Sequence, residues 1–336
     1  MSFVRAAVVG GGVIGGVHAD SYRHAGAQVV AIVDPIETAG VAAAERYGAA
    51  WYSSLDELLA SDDRPDLLSI CTPPSLHLSL TAAALDAGVH VLCEKPMAHS
   101  LEHARDIHER ARHAAERSVI FGTAYCHRFQ PEIEYISSQL QAGAIGAVRT
   151  FRNEFSGMQA DIENRWFGNK AVAGGGVLLD TAIHSIDLFR FLCGEIADVA
   201  ATMSSELDGR ELEVEHTALL ALKSTAGIIG AIDCSWKSPT GRAVVEVAGS
   251  HGALRFDYTT PGVVTHIDET GVAHTVQVAD SGARFDRQIA DFMARVAAGR
   301  SSRTGSWDGY VGVAVVEAAY RRDVSGWSLD GESLKS

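Results

Sequence analysis

The feature that most constrains the fold is a glycine-rich turn near the start of the chain, Val8-Val9-Gly10-Gly11-Gly12-Val13-Ile14-Gly15. An apolar segment at residues 3–9 leads into the turn, and a helical segment follows it. Asp34 ends the next apolar run, 19 positions after Gly15. A strand, a G-x-G-x-x-G turn, a helix and a distant carboxylate in this order are typical of a dinucleotide-binding fold.

Each glycine of the turn has a distinct expected role. Gly10 permits the tight turn, Gly12 lets the backbone approach a pyrophosphate, and Gly15 lets the helix pack against the sheet. The diphosphate would lie on free amides at the helix start, those of Val13 and Ile14 among them. The positive end of the helix dipole favours an anion there.

Asp34 sets the expected cofactor preference. Its carboxylate would accept hydrogen bonds from the adenosine ribose and repel a 2′-phosphate. Pro35 and Ile36 follow it, and neither supplies the arginine that would accommodate a phosphate. The sequence therefore predicts NAD as the cofactor, bound in preference to NADP.

Length and composition exclude other classes of protein. A chain of 336 residues exceeds one ordinary core, so we expect two domains. The net charge of −14 argues against nucleic-acid and membrane-surface partners. We expect that no apolar run reaches the roughly 18 residues of a membrane span and that no signal peptide precedes the first strand. The five cysteines are scattered, so we expect buried free thiols in a cytoplasmic protein.

Residues 1–122 alternate between strand-like and helix-like segments, which predicts an α/β Rossmann domain with a doubly wound parallel sheet. The strands are expected at residues 3–9, 28–33, 67–71, 89–93 and 119–121, and the helices at 13–25, 37–47, 55–60, 76–87 and 101–117. This domain is the predicted NAD-binding domain.

Residues 123–336 follow a different pattern, which predicts an α+β domain with a large, mainly antiparallel, open-faced sheet. The strands are expected at residues 147–155, 199–205, 213–222, 226–235, 242–248, 253–258, 263–267 and 273–278, and the helices at 131–142, 176–192, 285–298 and 307–322. Because one sheet face would stay uncovered, we expect this substrate-binding domain to form a homodimer or homotetramer through that face.

Two segments follow predicted parallel strands, at the edge of the sheet where ligands bind in such folds. Thr72 and Pro73 follow the strand at 67–71, and His77 lies on the next helix, so all three are candidate cofactor contacts. Glu94 and Lys95 follow the strand at 89–93. Lys95 would point toward the nicotinamide and stabilise negative charge on a substrate oxygen, with Glu94 orienting it.

A third segment, Gly174-Gly175-Gly176-Val177-Leu178-Leu179-Asp180-Thr181-Ala182-Ile183-His184, carries a candidate proton-transfer pair. Asp180 and His184 are four residues apart, on one face of the predicted helix. Histidine titrates near neutrality, and a carboxylate beside it can set its tautomer and raise its basicity. The three glycines would leave room for a ligand near the start of the helix.

These motifs together resemble the Gfo/Idh/MocA oxidoreductases, the glucose–fructose oxidoreductase and inositol dehydrogenase group. The glycine turn, Asp34, Thr72-Pro73-Pro74, Glu94-Lys95-Pro96 and the Gly174…Asp180…His184 segment all fall in the family's order and spacing. The resemblance implies a Rossmann domain followed by an open-faced sheet domain, and NAD(P)-linked oxidation or reduction of a sugar or cyclitol. It also implies that Lys95, Asp180 and His184 form the catalytic group.

The chain departs from the family's pattern at Tyr125-Cys126-His127-Arg128-Phe129, where Cys126 replaces a common asparagine. His127 and Arg128 remain candidate substrate contacts. So do three consecutive residues that offer polar groups and an aromatic ring, Asn164, Arg165 and Trp166. No metal site is predicted from the spacing of the fourteen histidines.

The sequence thus predicts an NAD-dependent dehydrogenase that acts on a secondary hydroxyl of a sugar or inositol-like cyclitol. His184 would take the hydroxyl proton, Asp180 would balance the imidazolium, and Lys95 would hold the reacting oxygen. Two alternatives stay open. One is a biosynthetic reductase of a keto-sugar, and the other is a non-catalytic NAD-binding sensor of the same fold.

Overall fold

The computed structural model describes residues 4–278 and 283–323. Contacts along the backbone divide the chain into two compact units. The first unit comprises Met1–Phe129 and Gly282–Val313, and the second comprises Gln130–Ser281 and Ala314–Ser336. Both units are therefore built from two separate stretches of the chain.

The first unit contains a parallel sheet flanked by helices. Its strands are β1 (Arg5–Val9), β2 (Gln28–Val33), β3 (Ala50–Tyr52), β4 (Leu67–Ile70), β5 (His90–Cys93) and β6 (Phe121–Thr123). Its helices before residue 129 are α1 (Val13–His24), α2 (Glu37–Tyr47), α3 (Leu55–Leu59), α4 (His77–Asp86) and α5 (Leu101–Glu116). The strand order β3-β2-β1-β4-β5-β6 is that of a Rossmann fold.

Burial on both faces explains why these strands are almost wholly apolar. Ala6, Ala7 and Val8 of β1 are fully buried, and so are Leu67 and Leu68 of β4. A parallel sheet covered by helices on both sides needs apolar side chains at every position, not at alternate ones. The predicted Rossmann architecture is confirmed, with β3 as an additional short strand.

The second unit begins with α6 (Pro131–Gln141) and contains a long mixed sheet. It also contains α7 (Lys170–Ala173), a π-helix (Leu178–Ala182) and α8 (Ile183–Cys193). Its strands are β7 (Val148–Met158), β8 (Ile196–Ser204), β9 (Glu206–Leu207), β10 (Arg210–Glu211), β11 (Thr217–Ser224), β12 (Ile229–Ser235), β13 (Lys237–Gly249), β14 (Gly252–Asp257), β15 (Val263–Asp268) and β16 (Ala273–Gln277).

Eight of these strands form one sheet in the order β16-β15-β14-β13-β7-β12-β11-β8, while β9 and β10 form a separate hairpin. Only the β7–β12 pair is parallel; the other neighbours in this sheet are antiparallel. Burial alternates along β11, where Leu220 is fully buried and Leu219 is 49% exposed. The large, mainly antiparallel sheet with one open face is confirmed.

The chain then returns to the first unit with α9 (Arg284–Ala297). The last helix of the described residues is α10 (Ser306–Arg321), whose residues up to Val313 belong to the first unit. The predicted boundary at residue 122 had assigned both helices to the second domain. In the structure, Ile289 and Phe292 of α9 are buried in the same apolar cluster as Ala19 and Tyr22 of α1. The burial of these side chains places residues 282–313 with the first unit.

One segment contradicts the expectation that no apolar run approaches the length of a membrane span. Lys170–Cys193 is long and apolar enough by length and composition, with a mean hydropathy of 1.2. However, 78% of its apolar window is buried inside the protein, and three glycines and a change of helix type interrupt it. Such burial is that of a core segment in a folded domain.

Candidate active site

The glycine-rich turn lies between β1 and α1, and backbone crowding explains two of its glycines. Gly10 adopts a φ of +102°, and a Cβ there would lie 2.6 Å from the carbonyl oxygen of Cys71. A Cβ on Gly15 would lie 1.9 Å from the carbonyl oxygen of Gly10. Both positions therefore require glycine for the turn to close and for α1 to approach the sheet.

Gly12 is different, because a Cβ built there meets no described atom within 4 Å. It is the N-cap residue of α1, and among the described residues no side chain caps this end and no acid stands in the first turn. Val13 beside it is 91% exposed. Free amides at the positive end of a helix, with open space in front of them, fit an anionic diphosphate.

Asp34 lies directly beside this turn. One of its carboxylate oxygens accepts a hydrogen bond from the Gly11 amide at 2.8 Å, and the other accepts one from the Ile36 amide at 2.9 Å. The two bonds fix the side chain at the end of β2 without burying it completely. The structure thus brings the predicted ribose-binding carboxylate to the phosphate-binding turn.

Gly15 is crowded by protein atoms and Gly12 is not, so alanine is expected to affect stability at Gly15 and NAD binding at Gly12. Gly15→Ala is expected to destabilise the unliganded protein by about 1–3 kcal/mol, because the new methyl group overlaps the Gly10 carbonyl. Gly12→Ala is expected to unfold near the wild-type temperature and to lose NAD affinity, since its methyl group meets only the bound diphosphate. Thermal unfolding and a fluorescence titration with NAD measure the two effects. Wild-type NAD affinity in Gly12→Ala would contradict this view of the turn.

The structure does not support His77 as a cofactor contact. Its ring is fully buried, and its nitrogens lie 3.0 Å from the carbonyl oxygen of Pro96 and 2.8 Å from that of Thr72. A ring with no exposed surface cannot touch a cofactor, so His77 joins the turns after β4 and β5. Burial lowers its pKa. Thr72 stays a candidate, because its Oγ1 is buried with no hydrogen-bond partner among residues 4–278 and 283–323.

Glu94 lies in a buried polar network that the sequence did not reveal. His18 of α1 is fully buried, with Nε2 lying 2.9 Å from Glu94 Oε1 and Nδ1 2.8 Å from Ser69 Oγ. Tyr22 completes the network through Ser69. Glu94 Oε2 in turn accepts a bond from the Lys95 amide at 3.1 Å. The network fixes the backbone from which half-buried Lys95 projects.

The turn after β6 is a short 3₁₀ helix, Cys126–Phe129, and its side chains have different environments. Arg284 Nε donates to Cys126 Sγ at 3.3 Å, and burial raises the pKa of this thiol to about 11, so it stays protonated at neutral pH. Arg128 is buried and binds Asp308 at 2.8 Å. The ion pair with Asp308 compensates the buried charge of Arg128, so the burial of this side chain does not require a substrate. Burial, with Arg284 and Lys95 nearby, lowers the pKa of half-buried His127 well below its usual value.

In the second unit, Asp180 lies within the π-helix Leu178–Ala182. The prediction of a regular α-helix at this position is therefore wrong. His184 lies in the first turn of α8, which continues from the π-helix. Asp180 Oδ2 accepts hydrogen bonds from Trp236 Nε1 at 3.1 Å and from Thr181 Oγ1 at 3.3 Å. A π-helical turn is rare, and such turns occur frequently at functional sites.

The glycines before this helix also have a role other than the predicted one. A Cβ on Gly175 would lie 2.1 Å from the hydroxyl oxygen of Tyr320, and one on Gly176 would lie 1.9 Å from the carbonyl oxygen of Glu215. Gly174 ends α7 with a φ of +86°. Protein atoms therefore fill the space that had been assigned to a ligand.

The predicted substrate contacts Asn164, Arg165 and Trp166 are exposed on the segment between β7 and α7. The Trp166 ring stacks on Phe167 at a centroid distance of 3.7 Å. The segment is attached to β13 by an ion pair of 2.6 Å between Glu163 and Lys237. An exposed aromatic face and a guanidinium group are thus available on a tethered loop.

Two histidines do have a spacing compatible with metal binding. His99 and His103 are four residues apart at the start of α5, and their rings pack edge to face with centroids 4.6 Å apart. Burial and the neighbouring His103 lower the pKa of His99. The absence of a metal from the site stays a prediction.

Comparisons with known proteins assign both halves of the chain. Residues 4–123 match the model of an oxidoreductase family with an NAD-binding Rossmann fold, and residues 133–255 match a GFO/IDH/MocA C-terminal domain. The chain belongs to the Gfo/Idh/MocA oxidoreductase family. The predicted resemblance is confirmed, and so are the predictions of an NAD-binding protein and of an enzyme.

Individual relatives include sugar and cyclitol dehydrogenases. Inositol 2-dehydrogenase of Rubrobacter xylanophilus is 28% identical over 98% of this chain and 93% of that protein. Levoglucosan dehydrogenase of Pseudarthrobacter phenanthrenivorans is 26% identical over 64% of this chain and 61% of that protein. A solved structure, GenD2 from gentamicin A biosynthesis in complex with NAD, is 30% identical, with a TM-score of 0.82 and coverage of 97% of this chain and 96% of that one.

Sequence reasoning missed three buried residues that hold the candidate site, namely His18, Glu215 and Trp236. His18 follows Gly15 by three positions, so it faces the sheet with that glycine, and this helical spacing was a usable signal. Glu215 and Trp236 lie at the ends of strands. No local pattern distinguishes a buried carboxylate or indole there from an exposed one.

Proposed function

We propose that this oxidoreductase is an NAD-dependent dehydrogenase that oxidises a secondary hydroxyl of a sugar or cyclitol. The observation that carries the proposal is the Asp180 carboxylate, held by Trp236 and Thr181 in the helical segment that continues to His184. A fixed carboxylate followed by an imidazole is suited to proton transfer. An NAD-binding protein without turnover would not need such a pair.

In the proposed reaction, His184 accepts the proton of the substrate hydroxyl, and the C–H bond of the same carbon breaks to leave a carbonyl group. Asp180 stabilises the imidazolium that forms. Lys95 donates a hydrogen bond to the reacting oxygen and stabilises the negative charge that develops on it. NAD, when bound, supplies the acceptor for the hydride.

The cofactor contacts proposed for this chain are the predicted ones other than His77. They are the turn Gly10, Gly12, Val13, Ile14 and Gly15, with Asp34, Thr72, Pro73, Glu94 and Lys95. Within the described part of the chain, Gly12 has open space before it, the helix start has no side-chain cap and the Thr72 hydroxyl has no hydrogen-bond partner, and these three features support the assignment. Arg165, Trp166 and His127 remain the proposed substrate contacts.

A substrate panel tests the proposed function. Inositols, free sugars and anhydrosugars are each incubated with NAD, the matching keto-sugars are incubated with NADH, and absorbance at 340 nm reports the reduced cofactor. We expect turnover with at least one polyol or keto-sugar. Tight NAD binding without a change at 340 nm for any member of the panel would contradict the proposal and favour a non-catalytic sensor.

We also propose that the open sheet face joins copies of this chain in a homodimer or homotetramer. Leu219 and Ile229 are 49% and 50% exposed on it, and Arg152 and Glu246 form an ion pair of 3.0 Å there. Light scattering is expected to give a multiple of the chain mass for the wild type and a lower mass for Leu219→Lys/Ile229→Lys. A monomeric wild type at micromolar concentration would contradict this proposal.

A cytoplasmic location remains part of the proposal. All five cysteines lie within the described residues and are buried free thiols, which fits a reducing compartment. Cell fractionation tests this location, and recovery of the protein outside the cytoplasmic fraction would contradict it.

A further inference from the structure

The segment that carries Asp180 and His184 is held by one edge of the large sheet. At this edge Thr217 of β11 and Ser235 of β12 are paired in register, and their hydroxyl oxygens are 2.7 Å apart. Glu215 lies two residues before Thr217, and Trp236 directly follows Ser235. The Trp236 amide donates to the carbonyl oxygen of His216 at 2.9 Å. Hydrogen bonds between the two strand ends therefore hold the backbones of Glu215 and Trp236 together.

Glu215 binds the start of the helical segment through its carboxylate. Oε1 accepts bonds from the Leu178 amide at 2.9 Å and the Gly176 amide at 3.1 Å, and Oε2 also lies 3.1 Å from the Gly176 amide. Its carbonyl oxygen accepts the Val177 amide at 2.9 Å. These amides are among those that a helix leaves without internal partners, so a carboxylate from another element caps this helix.

The burial of Glu215 makes this cap hard to replace by water. The residue is 5% exposed, and Tyr320 donates a further hydrogen bond to Oε1 at 2.9 Å. Gly175 and Gly176 allow the two partners to come this close, since a Cβ on either glycine would overlap Tyr320 or Glu215. Burial raises the pKa of Glu215, and the bonds from the amides and from Tyr320 oppose that rise.

Trp236 acts on the same segment one turn further along. Its indole Nε1 donates to Asp180 Oδ2 at 3.1 Å and lies 3.3 Å from Thr181 Oγ1, and the residue is 3% exposed. The indole therefore fixes the carboxylate itself, whereas Glu215 fixes the backbone that precedes it.

We propose that Glu215 and Trp236 are positioning residues for the Asp180–His184 pair, Glu215 by capping the start of the helical segment and Trp236 by orienting the Asp180 carboxylate. The inference rests on the proposed function of that pair. Neither residue needs to touch the substrate or the cofactor. Their loss should lower kcat through misplacement of the pair, while NAD binding by the first unit stays intact.

The test uses the full chain and the substrate with the highest turnover in the panel. Glu215→Gln and Trp236→Phe keep the size of each side chain and remove the second carboxylate oxygen or the indole N–H. We expect each to lower kcat on the order of 10- to 100-fold, because small misplacements of catalytic groups have effects of this size. The NAD dissociation constant should not change. Hydrogen exchange of the amides of Gly176 and Leu178 should accelerate in Glu215→Gln.

Glu132→Gln is the matched control. Glu132 is a fully buried carboxylate of the same unit that accepts bonds from the Gln130 side chain and the Gly262 amide, neither of which belongs to the helical segment of Asp180. Its substitution should lower the unfolding temperature without lowering kcat. An equal loss of kcat in Glu132→Gln and Glu215→Gln would overturn the proposal, because a general loss of stability would then explain both.

A double-mutant cycle separates this inference from the proposed function. If Trp236 acts through Asp180, Trp236→Phe should cause no further loss of kcat in an Asp180→Ala background. Additive losses would overturn the positioning role of Trp236. Wild-type kcat in Asp180→Ala alone would instead contradict the proposed function, and the exchange rates of Gly176 and Leu178 would still report whether Glu215 caps the helix.

Discussion

His184→Ala is expected to lower kcat by about 10²–10⁴-fold, because the variant loses the group proposed to accept the substrate proton. NAD affinity should stay at the wild-type value, since the glycine turn and Asp34 belong to the other unit of the chain. Steady-state turnover and a fluorescence titration with NAD measure the two quantities on the same preparation. Asp180→Ala should show the same pattern.

His274→Ala provides the matched control for this loss. His274 lies exposed on β16 of the same unit, where its Nε2 lies 2.9 Å from the Asp268 carboxylate. Removing this imidazole should leave kcat unchanged. If His184→Ala retained turnover close to that of His274→Ala, His184 could not be the proton acceptor.

Asp34→Ala is expected to lower kcat/KM with NAD by about 10- to 150-fold. It is also expected to lower the ratio of kcat/KM with NAD to kcat/KM with NADP. Hydrogen bonds to charged groups contribute about 1.5–3 kcal/mol, and the ribose would lose its carboxylate partner. The substitution also removes the repulsion of a 2′-phosphate. Kinetics with both cofactors at one substrate concentration measure the change.

Asp20→Asn controls for the loss of one negative charge near the cofactor domain. Asp20 lies on α1 and forms an exposed ion pair of 2.7 Å with Arg46, so its loss should change neither cofactor preference nor stability by much. A wild type that used NADP with the higher kcat/KM would contradict the role assigned to Asp34.

The Rossmann half of the fold could be predicted closely because its signals are local. The strand Gln28–Val33 and the helix Glu37–Tyr47 have the predicted bounds, since an apolar run and a helical segment alternate clearly there. The strand Ala50–Tyr52 was missed because three residues give no periodicity. The second half was harder: Lys237–Gly249 continues through Pro239 and Gly241, which normally end a strand, with an irregular register against β7.

The parts of the site that the sequence did not reveal depend on contacts between distant residues. The apolar face of α9 is visible in the sequence, but no local pattern shows that Ile289 and Phe292 join the core of the first unit. The spacing of Asp180 and His184 predicts a regular helix, whereas the structure has a π-helix at Asp180, and the partners of this segment, Glu215 and Trp236, are distant in sequence. The glycines before it were assigned to a ligand because their protein neighbours, Glu215 and Tyr320, are distant in sequence.

Isotope transfer tests the central claim most directly. The substrate with the highest turnover is prepared with deuterium on the carbon that bears the reacting hydroxyl, and the reduced cofactor is analysed by mass spectrometry. The proposed reaction predicts that one deuterium appears in NADH and that turnover shows a primary isotope effect wherever chemistry limits the rate. NADH without deuterium, or deuterium released to water, would contradict direct hydride transfer from a secondary alcohol.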